Sequence, residues 1–150
     1  MLNYKIIELN KDNIVSIESF KEESIEEGAH MVKRTLEEWK SGENTFSKRG
    51  ERLWSLFVDD KCIAMGGLNI DPFVENNDGS IGRVRHLYVS RKYRRQGLAK
   101  VLMNLIINEA KKNFKTLRLS ARRPEAFALY ESMGFKRVEG EKVTHVFDLR

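Results

Sequence analysis

Cysteine and proline are nearly absent from this chain. Its 150 residues hold one cysteine, Cys62, and two prolines, Pro72 and Pro124. A single thiol excludes an internal disulfide and a multi-cysteine zinc site. The three histidines, His30, His86 and His145, are too scattered to give metal-ligand spacing, so no metal is expected. No uncharged apolar run approaches the ~20 residues that a membrane span needs, and no membrane partner is expected. Met1 to Asn10 lacks the apolar stretch of an export signal. With neither disulfides nor an export signal, the expected compartment is the cytosol.

What is present describes one globular domain over residues 1–150. Hydrophobic residues make up 41% and charged residues 33%, enough for a core without covalent staples. The charge is unevenly placed. Residues 1–75 carry 10 Lys+Arg against 15 Asp+Glu, and residues 76–150 carry 17 against 7. An acidic first half and a basic second half suggest two faces with different partners.

Hydrophobic spacing lays out the elements. Tyr4 to Leu9 alternates as a short strand. Lys11 to Trp39 is helical, with a break expected around Phe20 to Ser24. Leu53 to Val58 and Cys62 to Ile70 form a hairpin around Asp59-Asp60-Lys61. Ile81 to Val89 is a fourth strand, and Gly97 to Asn113 a helix with Leu98, Leu102, Leu105 and Ile106 on its buried face. Thr116 to Ser120 is a fifth strand. Pro124 opens a short helix that Gly134 ends. Phe135 to Val138 and Val143 to Leu149 close the chain. Hairpin strands followed by a strand–helix–strand unit predict a mixed α/β sheet.

One strand-to-helix loop carries chemistry. It reads Arg94-Arg95-Gln96-Gly97-Leu98-Ala99. Gly97 has no Cβ to block a ligand, and the first amides of the following helix lack intrahelical acceptors at the positive end of its dipole. Arg91, Lys92, Arg94, Arg95 and Lys100 add positive charge. The residues alone leave two readings open, a phosphate cradle and a basic helix cap with no ligand. Neither the Walker pattern nor the dinucleotide glycine spacing is present. One helix and one strand later comes Ala126-Phe127-Ala128-Leu129-Tyr130-Glu131-Ser132-Met133-Gly134-Phe135.

These two segments, in this order, resemble the GNAT family of N-acetyltransferases. That family's loop reads Arg/Gln-x-x-Gly-x-Gly/Ala, and its later helix reads Ala-x-x-Leu-Tyr-x-x-x-Gly-Phe. The resemblance implies a mostly antiparallel twisted sheet, splayed between the fourth and fifth strands and flanked by helices. It implies direct transfer of an acetyl group from acetyl-CoA to an amine. The amides of Arg95, Gln96, Gly97, Leu98 and Ala99 would hold the pyrophosphate, with nearby cations such as Arg94 meeting the remaining charge. The backbone of Leu87 and Val89 would pair with the pantetheine arm. Leu87 N–H would polarise the carbonyl, and Tyr130 would protonate the departing thiolate. Homodimers are common among proteins of this appearance.

Two positions depart from the family pattern. Arg123 stands where many members have asparagine, and it could reach a phosphate instead. The fourth strand, Gly82-Arg83-Val84-Arg85-His86-Leu87, has no carboxylate to act as base. His86 is the substitute, with an ordinary pKa near ~6.5; a packed histidine without a proton role is the alternative. Glu22, Glu23, Glu26, Glu27, Glu37 and Glu38 could wall the acceptor site and favour a cationic amine, or form a solvated helix face. Two other functions compete. A silent acyl-CoA sensor would share the fold. A nucleic-acid module is suggested by the basic half, but no helix-turn-helix, zinc-finger or RNP-type pattern accompanies it. Cys62 is expected to be a buried structural residue.

Overall fold

The computed structural model describes residues 2–150. Seven strands form one sheet in the order β1-β2-β3-β4-β5-β7-β6. The strands are β1 (Lys5–Glu8), β2 (Arg52–Val58), β3 (Lys61–Ile70), β4 (Ile81–Val89), β5 (Thr116–Leu119), β6 (Lys136–Arg137) and β7 (His145–Asp148). Only β4 and β5 run parallel; every other neighbouring pair is antiparallel. The hairpin between β2 and β3 turns on Asp59-Asp60, with Asp59 at φ 53°.

Helices α1 (Lys21–Glu26) and α2 (Met31–Ser41) cover one face. Their core holds Ile17, Phe20, Val32, Leu53, Met65 and Tyr88. Helices α3 (Leu98–Ala110) and α4 (Phe127–Ser132) cover the other, where Leu102, Met103 and Ile106 are fully buried with Ile63, Ala64 and Leu68. Each such aliphatic side chain contributes about 1.5–3 kcal/mol by leaving water, so Leu102→Ala would open the centre of this layer.

Residues before α2 depart from the expected helix pair. Ile14–Phe20 is a 3-10 helix that gives way to α1 at Phe20, where a break is expected, and a second break lies at Gly28. Gly28 adopts φ 74°, a conformation that costs glycine little, and its N–H closes α1 on Ile25 O at 2.9 Å. The 3-10 to α junction keeps Ile17 and Phe20 buried, which is why the apolar spacing runs across it.

The β4–β5 contact is brief. Ile81, Gly82 and Arg83 pair with Thr116, Leu117 and Arg118, and pairing then stops. β4 continues for six residues to Val89, while β5 ends at Leu119, held by β7 on its far edge. The two strands therefore splay, as expected of the fold.

Candidate active site

A β-bulge shapes β4 inside the splay. Gly67 pairs with Arg85 and Met65 with Tyr88, so His86 and Leu87 together oppose Gly66. His86 takes φ 59° to make the extra residue fit, a backbone conformation uncommon for a residue with a Cβ. The bulge changes the alternation of side chains. Leu87 packs toward α3, where its Cδ1 would lie 3.1 Å from a Cβ placed on Gly66. Tyr88 returns to the α1–α2 core.

Beyond the bulge opens a cavity of about 620 Å³. Leu87 and Val89 of β4, Ser120 and Ala121 after β5, Gly97 and Tyr130 all border it. Gly97 has φ 77°, and a Cβ built there would meet no atom within 4 Å. Among the described residues, the N–H groups from Arg95 to Lys100 donate to no protein acceptor, and the first bond of α3 runs from Val101 N to Gly97 O at 3.1 Å. Arg95 at φ 65° and Gly97 bracket Gln96, an alternation that gathers successive N–H groups into a concave anion nest. Open space and a row of unspent donors fit the diphosphate of CoA. Arg95, Gln96, Gly97, Leu98 and Ala99 all lie in this turn.

Arg94 is placed differently from the expected phosphate ligand. Its Nη2 donates to Glu27 Oε1 at 2.7 Å, its Nη1 to Glu27 Oε2 at 2.9 Å and its Nε to Val89 O at 2.9 Å. Arg91 pairs with Glu26 and Glu27 at 3.3 Å. Glu23 accepts from Ser90 Oγ and from Arg91 N, each at 2.7 Å. Tyr88 Oη lies 2.8 Å from both Glu23 Oε2 and Glu27 Oε1. The hydrogen bonds from Arg94, with help from Tyr88, hold Glu27 down at about 2. Burial pushes Glu23 upward, but the bonds from Arg91 N, Ser90 and Tyr88 outweigh it and lower the carboxyl. Much of the expected acidic wall is thus spent on fixing the loop.

Arg123 reaches the same turn, donating to Glu27 O at 3.3 Å, beside a 2.8 Å bond from Arg122 to Gly28 O. Both side chains border the cavity and bridge the open end of the splay. Tyr130 is 8% exposed. Its ring lies 5.9 Å from His145 and 6.1 Å from Phe135, and its hydroxyl bonds to no other described residue. Burial raises its pKa.

His86 does not sit as an accessible base would. It borders the cavity, but its Nε2 is sealed and unpartnered, 3.8 Å from Glu38 Oε1. Burial, with the nearby positive charges of Arg85 and Arg34, pushes its pKa down to about 3. Its ring packs edge-on to Phe46 at 6.1 Å. Cys62 is buried, and burial pushes its thiol up to about 12, which leaves no thiolate at neutral pH.

Two cavity residues had no functional signal in the sequence. Ala29, in the turn between α1 and α2, and Met31, which opens α2, lie some 60 residues before the loop they flank, and no local motif marks them.

The acetyltransferase (GNAT) family model matches residues 13–135. The chain belongs to the GNAT acetyltransferase family. Human N-acetyltransferase 8 is 33% identical over 104 residues, which is 61% of this chain and 41% of that protein; the match spans less than half of that relative's length. A protein of Exiguobacterium sp. 255-15 assigned to the acetyltransferases superposes with a TM-score of 0.86 at 26% identity, covering 98% of this chain and 94% of that one. An acetyltransferase-assigned protein of Clostridium acetobutylicum, solved with acetyl-CoA, superposes with a TM-score of 0.65 at 18% identity, covering 93% and 94%. No helix among the described residues is long and apolar enough to cross a membrane.

Proposed function

We propose that this GNAT chain transfers an acetyl group from acetyl-CoA directly to an amine. The observation that carries the reading is the splay itself, a cavity of about 620 Å³ that joins the unspent amides of Arg95 to Lys100 to the Tyr130 hydroxyl. The amides of Arg95, Gln96, Gly97, Leu98 and Ala99 hold the diphosphate, and Arg95 and Arg123 supply cationic charge. Arg94 shapes the loop through Glu27. The backbone edge of Leu87 and Val89, left without a strand partner by the early end of β5, accepts the pantetheine arm as an added strand would be accepted, with Val89 O shared with Arg94 Nε.

Acetyl-CoA supplies an activated thioester. The chain supplies position and two polar groups. The bulge leaves Leu87 without a ladder partner of its own, so its N–H can polarise a carbonyl. Tyr130 Oη carries a proton held firmly by burial and gives it to the departing sulfur. His86 sets the bulge and stays neutral, and the acceptor reacts as the free amine; the proton its nitrogen sheds on becoming the amide replaces the one Tyr130 gives to sulfur. An acyl-enzyme is not needed, since Cys62 is buried away from this cavity.

Thiol release from acetyl-CoA, measured with a panel of amines, tests the reading. Amine-dependent release is expected. CoA binding without release with any amine would favour the sensor; salt-sensitive duplex binding uncompeted by CoA would favour the nucleic-acid module.

A further inference from the structure

A second cavity, of about 360 Å³, lies on the α2 side of β4, within the range of small-molecule sites. Arg85, Glu38, Asn44, Asn69 and Phe73 border it. Neighbouring residues of β4 border both cavities. His86 borders the first and Arg85 the second. Arg85 precedes Leu87 by two residues, about 7 Å along a strand.

Most polar groups of this second cavity are already satisfied. Asn44 and Asn69 bond to each other through both amides at 2.9 and 3.0 Å. Glu51 accepts from Lys48 N and Ile70 N, each at 3.0 Å. Glu43 is exposed at the rim. Behind the cavity, buried Asp71 takes up Arg83 at 3.2 Å and Arg118 at 2.9 Å.

Arg85 and Glu38 are the exceptions, Glu38 Oε1 being buried without a hydrogen-bond partner. The Arg85 side chain is 12% exposed, and the nearest carboxylate oxygen, Glu38 Oε1, is 3.9 Å away, beyond hydrogen-bond reach. None of its N–H groups bonds to a described residue. A nearly buried guanidinium with its donors unspent is costly. Charges of both signs surround it. Burial lowers the Arg85 pKa most and Arg34 adds to that, against the opposing carboxylates of Glu38, Asp71 and Glu51. The Phe73 ring carries Lys142 Nζ at 4.4 Å, Arg83 at 4.7 Å and Arg85 at 5.7 Å. Glu38 alone faces this group from α2. The carboxylates that would attract a cationic acceptor, Glu23, Glu26 and Glu27, are engaged by the phosphate loop instead.

We propose that this cavity is the acceptor pocket and that it takes an amine carrying an oxyanion, a carboxylate or a phosphate, which Arg85 binds through paired N–H groups. The inference rests on the acetyl-transfer reading above and names its substrate class.

The test is a set of matched amines: amino acids beside their amides and their decarboxylated amines, and an amino-sugar phosphate beside the free amino sugar. Wild type, Arg85→Gln and Arg85→Lys are compared by thiol release, each first checked for a wild-type melting transition. In wild type the anionic member is favoured at least tenfold in kcat/KM, mainly through KM. In Arg85→Gln that ratio falls toward one, and Arg85→Lys restores part of it. The carboxylate and phosphate pairs separate the two sources of the oxyanion. A wild-type ratio of one or below, or a ratio that survives Arg85→Gln, overturns the assignment. If no pair turns over, NMR titration with acetate and inorganic phosphate at saturating CoA decides. Binding lost in Arg85→Gln supports the pocket, and no binding overturns it. Failure of acetyl-CoA to bind in calorimetry overturns acetyl transfer itself, whereas binding and turnover without anion preference overturns only the pocket.

Discussion

Arg94 and Glu27 form a two-pronged ion pair, at 2.7 and 2.9 Å, between the start of the β4–α3 loop and the turn after α1. A residue that looks in sequence like a phosphate ligand is a structural tie. Glu27 also receives Tyr88 and Arg91, so one carboxylate fixes both the end of β4 and the loop that follows. The acidic first half and basic second half of the chain meet here.

Glu27→Gln should loosen this tie. Arg94 is 37% exposed, so solvent screens the pair and its contribution is about 0.5–1 kcal/mol. Melting should fall by about 1–4 °C, while KM for acetyl-CoA rises more than kcat falls. A wild-type KM would show that the loop holds its shape without Glu27.

The same carboxyl sets an acid limit. Its pKa in the folded chain is lowered from 4.5 to about 2, so its contribution is complete above about pH 4.5 and is lost as pH falls toward 2. Melting temperature against pH should decline less steeply over that window in Glu27→Gln than in wild type. Parallel curves would show that Glu27 titrates normally.

Gly97→Glu places a side chain and a negative charge at the nest. Because a Cβ there meets no protein atom, steric damage is small, although φ 77° adds strain of about 1 kcal/mol. The variant should fold and lose most CoA affinity in calorimetry. Unchanged affinity would remove the loop from the cofactor site. Arg95→Ala should cost less, because the amides remain.

Tyr130→Phe keeps the ring between His145 and Phe135 and removes one hydroxyl. Since that hydroxyl bonds to no described residue, stability should be nearly unchanged. Protonating a thiolate is modest work, so kcat should drop about 10 to 100-fold with little change in KM for acetyl-CoA. A wild-type kcat under conditions where chemistry limits turnover would exclude Tyr130 as the acid.

His86→Ala separates a base from a bulge residue. With its pKa near 3, His86 does not titrate between pH 5 and 8. Any acidic limb of the kcat/KM profile in that range should keep its position in the variant, while kcat falls as the bulge relaxes. Disappearance of the limb would make His86 the base after all.

Local patterns were enough for elements whose signals lie within a few residues. The β2–β3 hairpin follows from two apolar runs around Asp59-Asp60. Helix α3 follows from apolar residues three and four apart, and the turn that enters it from Gly97 at a strand-to-helix junction. The helix that carries Tyr130 was legible because Pro124 and Gly134 bracket it. The break at Gly28 was less legible, because Ile17, Phe20 and Val32 all face one core and keep the helical spacing intact across it.

Tertiary structure decided how those pieces are spent. Whether Arg94 meets a phosphate or Glu27, and whether His86 faces a substrate or Glu38, depends on elements tens of residues apart in the chain. The bulge that puts Leu87 on the α3 face and Tyr88 on the α1 face comes from an extra residue opposite Gly66, and strand alternation alone cannot show it. Sequence determined the chemistry available, because residue types and short spacings specify donors, acids and turns. Only the fold determined which of those groups remain unsatisfied, because a charge is free or spent according to what distant segments bring beside it.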